Sequence, residues 1–169
     1  MYTYGDIVLR IAEDKDVRNL SRLKNESWFG THRVSIQTMK AQGDWWEKVS
    51  RSQNDYIMIA MKGIVPVGVY KLTNIDWING VADSAHDVYA DSRGKGLSYP
   101  VLSAGVAFAF NVLNLRRLNT EVLVGNHSIK AALKVGFQAE GTRRSVKVLN
   151  GNLVDSDVFG LLRSEYHGA

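Results

Sequence analysis

The sequence predicts an α/β to α+β fold, a mixed sheet with helices packed on it, and three observations support this. Short apolar runs of strand type alternate with stretches whose apolar residues recur at helical spacing, in the order βαα–ββ–β–α–β–α–ββ. Turn chemistry at Lys62-Gly63 and Asn150-Gly151 marks two hairpins. One long helical pattern over 97–113 is rich enough in small and apolar residues to be buried on most sides.

The first strand is Ile7 to Ile11. Asp14 is the expected N-cap of a helix over roughly 15–24, with Val17, Leu20 and Leu23 at helical spacing, and Asn25 to Gly30 breaks it. Ser35 to Val49 reads as one or two short helices interrupted near Gly43. Asp55 to Met61 is nearly continuously apolar, as a strand buried on both faces is, and Pro66 to Leu72 is its hairpin partner. Asn79-Gly80 turns the chain into a strand over 81–90. After the long helix, Arg117 to Val124 is a strand, and Ser128 to Val135 a short helix closed by Gly136. Ser145 to Val148 and Val158 to Leu162 form the last hairpin. No repeat or linker interrupts the 169 residues, which are expected to form one domain.

Composition excludes several classes of function. With no cysteine there is no disulfide framework, no thiolate metal site and no cysteine nucleophile. The four histidines are dispersed without ligand spacing, so no metal is expected. No apolar run reaches the ~18 residues of a membrane span, and the N-terminus lacks a signal-peptide pattern; the cytoplasm is the expected compartment. A net charge of +4 without a basic block gives little reason to expect a nucleic-acid partner.

The chemistry-bearing stretch runs from Val88, Tyr89 and Ala90 through Arg93-Gly94-Lys95-Gly96-Leu97-Ser98 to Pro100. A strand meets a basic, glycine-bearing turn, and a helix begins with proline in its first turn. Free N–H groups at a helix start, reinforced by the helix dipole and by glycines that allow close approach, make a phosphate site. It is not a Walker loop, because Gly96 rather than Ser or Thr follows Lys95, and no glycine precedes at the required distance. Nor is it a dinucleotide fingerprint, which needs a third glycine.

These residues resemble the GCN5-related N-acetyltransferases (GNAT), in particular the RimJ/RimL-like branch, along nearly the whole chain. Arg93 to Ser98 is similar to the family's [Q/R]-x-x-G-x-[G/A] acetyl-CoA loop, with Ser98 where Gly or Ala is usual. Phe108-Ala-Phe110, Leu113 to Arg117, Ser128 with Leu133-Lys-Val-Gly136-Phe137, Gly141-Thr-Arg-Arg144, Asn150-Gly151, Asp155 and Leu161 to Tyr166 follow in the branch's order. The resemblance implies a mixed, mostly antiparallel sheet of about seven strands flanked by helices, with a V-shaped splay at the acetyl-CoA site. It implies acetyl-CoA as donor, contacted by Val88, Tyr89, the residues from Arg93 to Ser98, Asn126, Ser128 and Lys134. The family's asparagine lies three residues before Ser128, where this chain has Gly125, with Asn126 one position later.

Acetyl transfer to an amine needs a base, an oxyanion donor and an acid for the leaving thiolate. The segment Ile75-Asp76 to Ala85 looks like the branch's I-D-x-x-N-x-x-A-E-x-G, which makes Asp83 the first candidate base. A solvated strand carboxylate is the alternative reading. His86 is the second candidate, on the opposite face by strand alternation unless a bulge intervenes; Asp87 and Tyr89 are weaker ones. The family's acid tyrosine would fall on Ala132, leaving Ser128 as thiolate partner or as helix N-cap. Trp28, Phe29, Arg33, Trp45 and Trp46 either line the acceptor cleft or pack the helices on the sheet. The resulting expectation is direct acetyl transfer to a protein N-terminal amine or a small-molecule amine such as an amino sugar, by a monomer or homodimer. A catalytically idle binder of acyl-CoA or of a partner protein is the rival reading.

Overall fold

A computed structural model describes residues 1–27 and 38–168. Its centre is an eight-stranded sheet in the order β1-β2-β3-β4-β5-β6-β8-β7. The strands are β1 (Tyr2–Tyr4), β2 (Ile7–Ile11), β3 (Tyr56–Lys62), β4 (Val65–Asp76), β5 (Val81–Val88), β6 (Arg117–Leu123), β7 (Gln138–Leu149) and β8 (Asn152–Leu162). The helices are α1 (Val17–Glu26), α2 (Met39–Ser50), α3 (Ser98–Asn111) and α4 (Ser128–Val135). All neighbouring strands pair antiparallel except β5 and β6.

That parallel pair creates the site. β5 and β6 are in register only at Val81↔Arg117, Ala82↔Leu118 and Asp83↔Asn119. Beyond Asp83 the two strands continue without pairing each other, so the sheet opens into the expected V-shaped splay. Unpaired N–H and C=O groups inside a protein demand partners, and a gap lined by them is where a ligand's polar backbone can be held.

Two cores hold the strands. On one face α3 lies against β4 and β5, with Tyr70, Leu72, Ala82, Val106 and Phe110 among its buried residues. The approach is close because residue 105 is glycine: a Cβ there would sit 2.2 Å from the Tyr70 ring. The Tyr70 hydroxyl, buried by that contact, pairs with Ser84 Oγ at 3.0 Å. On the other face α1 and α2 cover Ile57, Ile59, Val69 and Tyr89. Arg10 clamps the start of α1 by a two-pronged bond to Asp16, 2.7 Å on each arm.

Four expectations need correction. The sheet has eight strands rather than about seven, because Tyr2–Tyr4 adds an edge strand paired to β2. Asp14 does not cap a helix: residues Asp14–Asp16 form a 3-10 turn before α1, and the Asp14 carboxylate accepts from Trp46 Nε1 at 2.7 Å. Helix α2 passes unbroken through Gly43, capped by Thr38 Oγ1, which accepts from Ala41 N–H at 3.1 Å. A single interior glycine costs only ~1 kcal/mol relative to alanine, less than packing against the sheet returns. Finally, β7 starts at Gln138 and not Ser145. Its polar, glycine-interrupted sequence lacks strand alternation, and pairing with β8 along its length, across two register shifts, supplies what periodicity did not.

Candidate active site

The site is assembled where β5 and β6 part. The register of β5 with β4 is continuous from Gly68↔Val88 to Thr73↔Asp83, so alternation holds and the bulge lies elsewhere, in β4 between Thr73 and Asp76. Asp83, Ala85 and Asp87 therefore face α1 and α2, while Ser84 and His86 face α3. Asp83 is exposed at the last paired position. Its carboxylate accepts from Asn74 Nδ2 at 2.8 Å and, at the limit of bonding, from Asn119 Nδ2 at 3.5 Å. The β4 bulge is what aims Asn74 there, since Asn74 adopts a left-handed φ of 53°. Asp83 thus stands at the mouth of the splay held by two neutral amides, with no lysine or arginine paired to it among the described residues.

Two cavities meet at this point. The larger, about 970 Å³, is lined by Trp45, Lys24 and Lys48 from the helices, Asp55 just before β3, Lys71, Asp83 and Asp87 from the sheet, and Glu121 and Arg143 beyond the splay. The smaller, about 510 Å³, is lined by Val88, Arg93, Gly94, Gly96, Leu97 and Ser98, with Ser27 and His127 opposite. His86, Asp87, Asn126 and Ser128 line both. These four residues form the boundary common to both chambers.

The smaller chamber is bordered by the glycine loop and the start of α3, with Glu26 and Asp87 also in its wall. Gly94 and Gly96 have φ of 74° and 72°, and an added Cβ at either would meet nothing within 4 Å, so the loop faces open space. The N–H groups from Gly94 to Ser98 take no backbone acceptor among the described residues. Together with the start of the 14-residue α3 they form a concave set of donors. Arg93 braces this loop rather than reaching into it. Its guanidinium donates to Val88 O at 3.2 Å, to Glu26 O at 3.4 Å and to Ser27 Oγ. Lys95 likewise donates to Asp91 O at 2.7 Å, and Lys134 rests over the Tyr99 ring 4.2 Å from its centroid. Neither lysine lines the cavity.

The remaining predicted residues divide. Asn126 Oδ1 accepts from Ser128 N–H at 3.0 Å, so the side chain one position late in the motif organises the start of α4. Ser128 is the first residue of that helix and does not cap it; its place on both cavities keeps it in reach of a group held between them. Tyr89 is buried beside α1, and its N–H donates to Val67 O at 3.0 Å, which leaves that amide no free proton for an oxyanion. Trp45 lines the larger cavity, its ring 3.7 Å from Lys24 Nζ, whereas Trp46 ties α2 to the 3-10 turn. Trp28, Phe29 and Arg33 lie outside the described residues. Sequence reasoning passed over Asp55, Lys71 and Glu121. Lys71 and Asp87 form a largely buried ion pair at 3.1 Å, and Arg143 pairs with Glu121 at 2.9 Å. Only the strand register, invisible before the partner strands are known, marks them.

His86, the second candidate base, has a hydroxyl partner. Its Nε2 lies 2.7 Å from Ser98 Oγ, across the gap to α3. Burial pushes its pKa down to about 4 against the opposing pull of Asp87, so the ring is neutral at physiological pH.

Comparison with known proteins places this geometry. Residues 6–138 match the family model described as an acetyltransferase (GNAT) domain. An uncharacterized N-acetyltransferase p20 of Bacillus licheniformis is 31% identical over 116 residues, 68% of this chain and 65% of that protein. The putative ribosomal N-acetyltransferase YdaF of Bacillus subtilis is 25% identical across 96% of this chain and 94% of its own length. Among solved structures, spermidine N-acetyltransferase from Vibrio cholerae in complex with CoA and spermine superposes with a TM-score of 0.91 at 20% identity, covering 96% of this chain and 99% of that one. At that identity the likeness is one of fold.

Proposed function

The chain belongs to the GNAT acetyltransferase family, and from that premise we propose that it transfers an acetyl group from acetyl-CoA directly to a primary amine. One observation carries the reading: the chamber beside the glycine loop and a larger chamber share His86, Asp87, Asn126 and Ser128 at the opening of the sheet. The pyrophosphate is held by the Gly94–Ser98 amides, with Arg93 fixing the loop that presents them. Pantetheine runs along the unpaired part of β5, and the thioester lies between the shared residues. The amine enters from the larger chamber.

Direct transfer follows from the absence of cysteine in the sequence. Asp83 takes the proton of the ammonium, directly or through one water, so that the neutral amine attacks the thioester carbon. The C–S bond then breaks, the nitrogen gives up its second proton as the amide forms, and the Ser128 hydroxyl relays that proton to the leaving thiolate. Holding amine and thioester next to one another at the shared residues lowers the entropic part of the barrier.

The larger chamber also bears on the acceptor. Among the described residues, Asp55, Asp83, Asp87 and Glu121 are matched there by Lys24, Lys48, Lys71 and Arg143. A cavity of balanced charge attracts a polycation less than an acidic one would. We therefore favour a small-molecule amine of low net charge, such as an amino sugar, over a polyamine or a protein N-terminus. The test is kcat/KM with an amino sugar, spermidine and an N-terminal peptide, followed by CoA release. The amino sugar should lead by at least about tenfold, which corresponds to ~1.4 kcal/mol of differential transition-state binding. A leading polyamine or peptide would withdraw the acceptor assignment and leave acetyl transfer standing.

A further inference from the structure

The His86 imidazole is placed for a task other than proton abstraction. It lies on the α3 face of β5, opposite Asp83, and its Nε2 reaches Ser98 Oγ at 2.7 Å. Ser98 is the first residue of α3 and closes the run, begun at Gly94, of amides that take no backbone acceptor among the described residues. Both side chains border the smaller chamber. A serine hydroxyl at an anion site helps only when its single proton points at the anion. Left alone, the hydroxyl rotates among several acceptors. A ring nitrogen donating into an Oγ lone pair removes that freedom and directs the remaining proton outward.

We propose that His86 is a positioning residue for the donor: its Nε2–H holds Ser98 Oγ so that the hydroxyl donates to a pyrophosphate oxygen of CoA. The inference rests on the reading that the smaller chamber takes that pyrophosphate. The required tautomer carries its proton on Nε2, and the neutral ring has only one to give. Asp87 and Lys71 are the charged groups that act on the ring, one favouring and one opposing its protonation. Ser98, where the family motif usually has glycine or alanine, thereby acquires a defined donor geometry through a partner on the neighbouring strand.

The test is the dissociation constant for CoA, titrated with the wild type, Ser98→Ala, His86→Ala, the double variant and His86→Gln. Each alanine variant should weaken CoA binding about three- to tenfold, the net worth of one hydrogen bond. The double variant should bind no more weakly than the worse single one, because both changes remove the same contact. His86→Gln, whose side-chain amide also presents an N–H, should recover binding to within about twofold of wild type. An unchanged constant in His86→Ala, or a further loss when His86→Ala is added to Ser98→Ala, overturns the assignment; the latter is what a merely structural role produces. Should His86→Ala fail to fold, His86→Phe keeps an aromatic ring without the nitrogen and is read by the same outcomes. A wild type that does not bind CoA defeats the reading of the chamber itself, a result distinct from a wild type that binds CoA with no coupling between the two residues.

Discussion

Asp83 stands at the last register pair before β5 and β6 separate, so its position is set by the sheet and its accessibility by the splay. Asn74 and Asn119 hold the carboxylate without neutralising it. Asp83→Asn should retain those contacts in part while removing the base. We expect kcat to fall about 10²- to 10⁴-fold, the usual worth of general base catalysis, with CoA affinity unchanged. A steady-state pH profile checks this; an unaltered acid limb would withdraw the base role. Asp16 carries a prediction about stability. Burial acts to raise its pKa, but the Arg10 fork and the Glu13 amide outweigh that and hold it below the usual carboxylate value. The stability it contributes is therefore complete above the unfolded-state value of roughly 4 and is lost as pH falls through the lower folded-state value. Asp16→Ala leaves Arg10 without its partner and should cost about 3 kcal/mol at neutral pH, less as the solution is acidified. Denaturant midpoints at several pH values measure both, and a pH-independent loss would contradict the sign.

At the scale of elements, the contact of α3 with β4 depends on Gly105. A methyl group there would sit 2.2 Å from the Tyr70 ring, a fully buried side chain held by Ser84. Gly105→Ala should destabilise by about 1–3 kcal/mol, as overpacking does, despite the higher helix propensity of alanine. Thermal unfolding decides between the two effects. The same element shows what a sequence reveals. Helix α3 and strand β3 were legible because burial on all sides leaves an apolar signature that needs no partner. The amide loop was legible because glycines at two alternate positions before a helix have few other uses. Strand β7 was not, since its evidence lies in β8. The roles of Lys71, Asp87 and Glu121 depend on which residues stand opposite one another, and a bulge in β4 rather than β5 decided which face Asn74 serves. Solution chemistry made His86 a second candidate base; its burial and the nearby Ser98 hydroxyl are tertiary facts that the sequence does not carry.

For the whole molecule, the proposed function puts cofactor and acceptor in different chambers, which allows binding and chemistry to be tested apart. Acetyl-CoA at about a hundredfold over its dissociation constant should add ~2.7 kcal/mol to stability and raise Tm accordingly. That outcome would hold for an enzyme and for an idle binder of the same fold. The deciding measurement is amine-dependent formation of free CoA. With acetyl-CoA and a panel of amino sugars, polyamines and N-terminal peptides, at least one amine should yield free CoA and acetylated amine in equal amounts, well above background hydrolysis. Thermal stabilisation by acetyl-CoA with no CoA released by any amine in the panel would contradict acetyl transfer and leave a binding protein in its place.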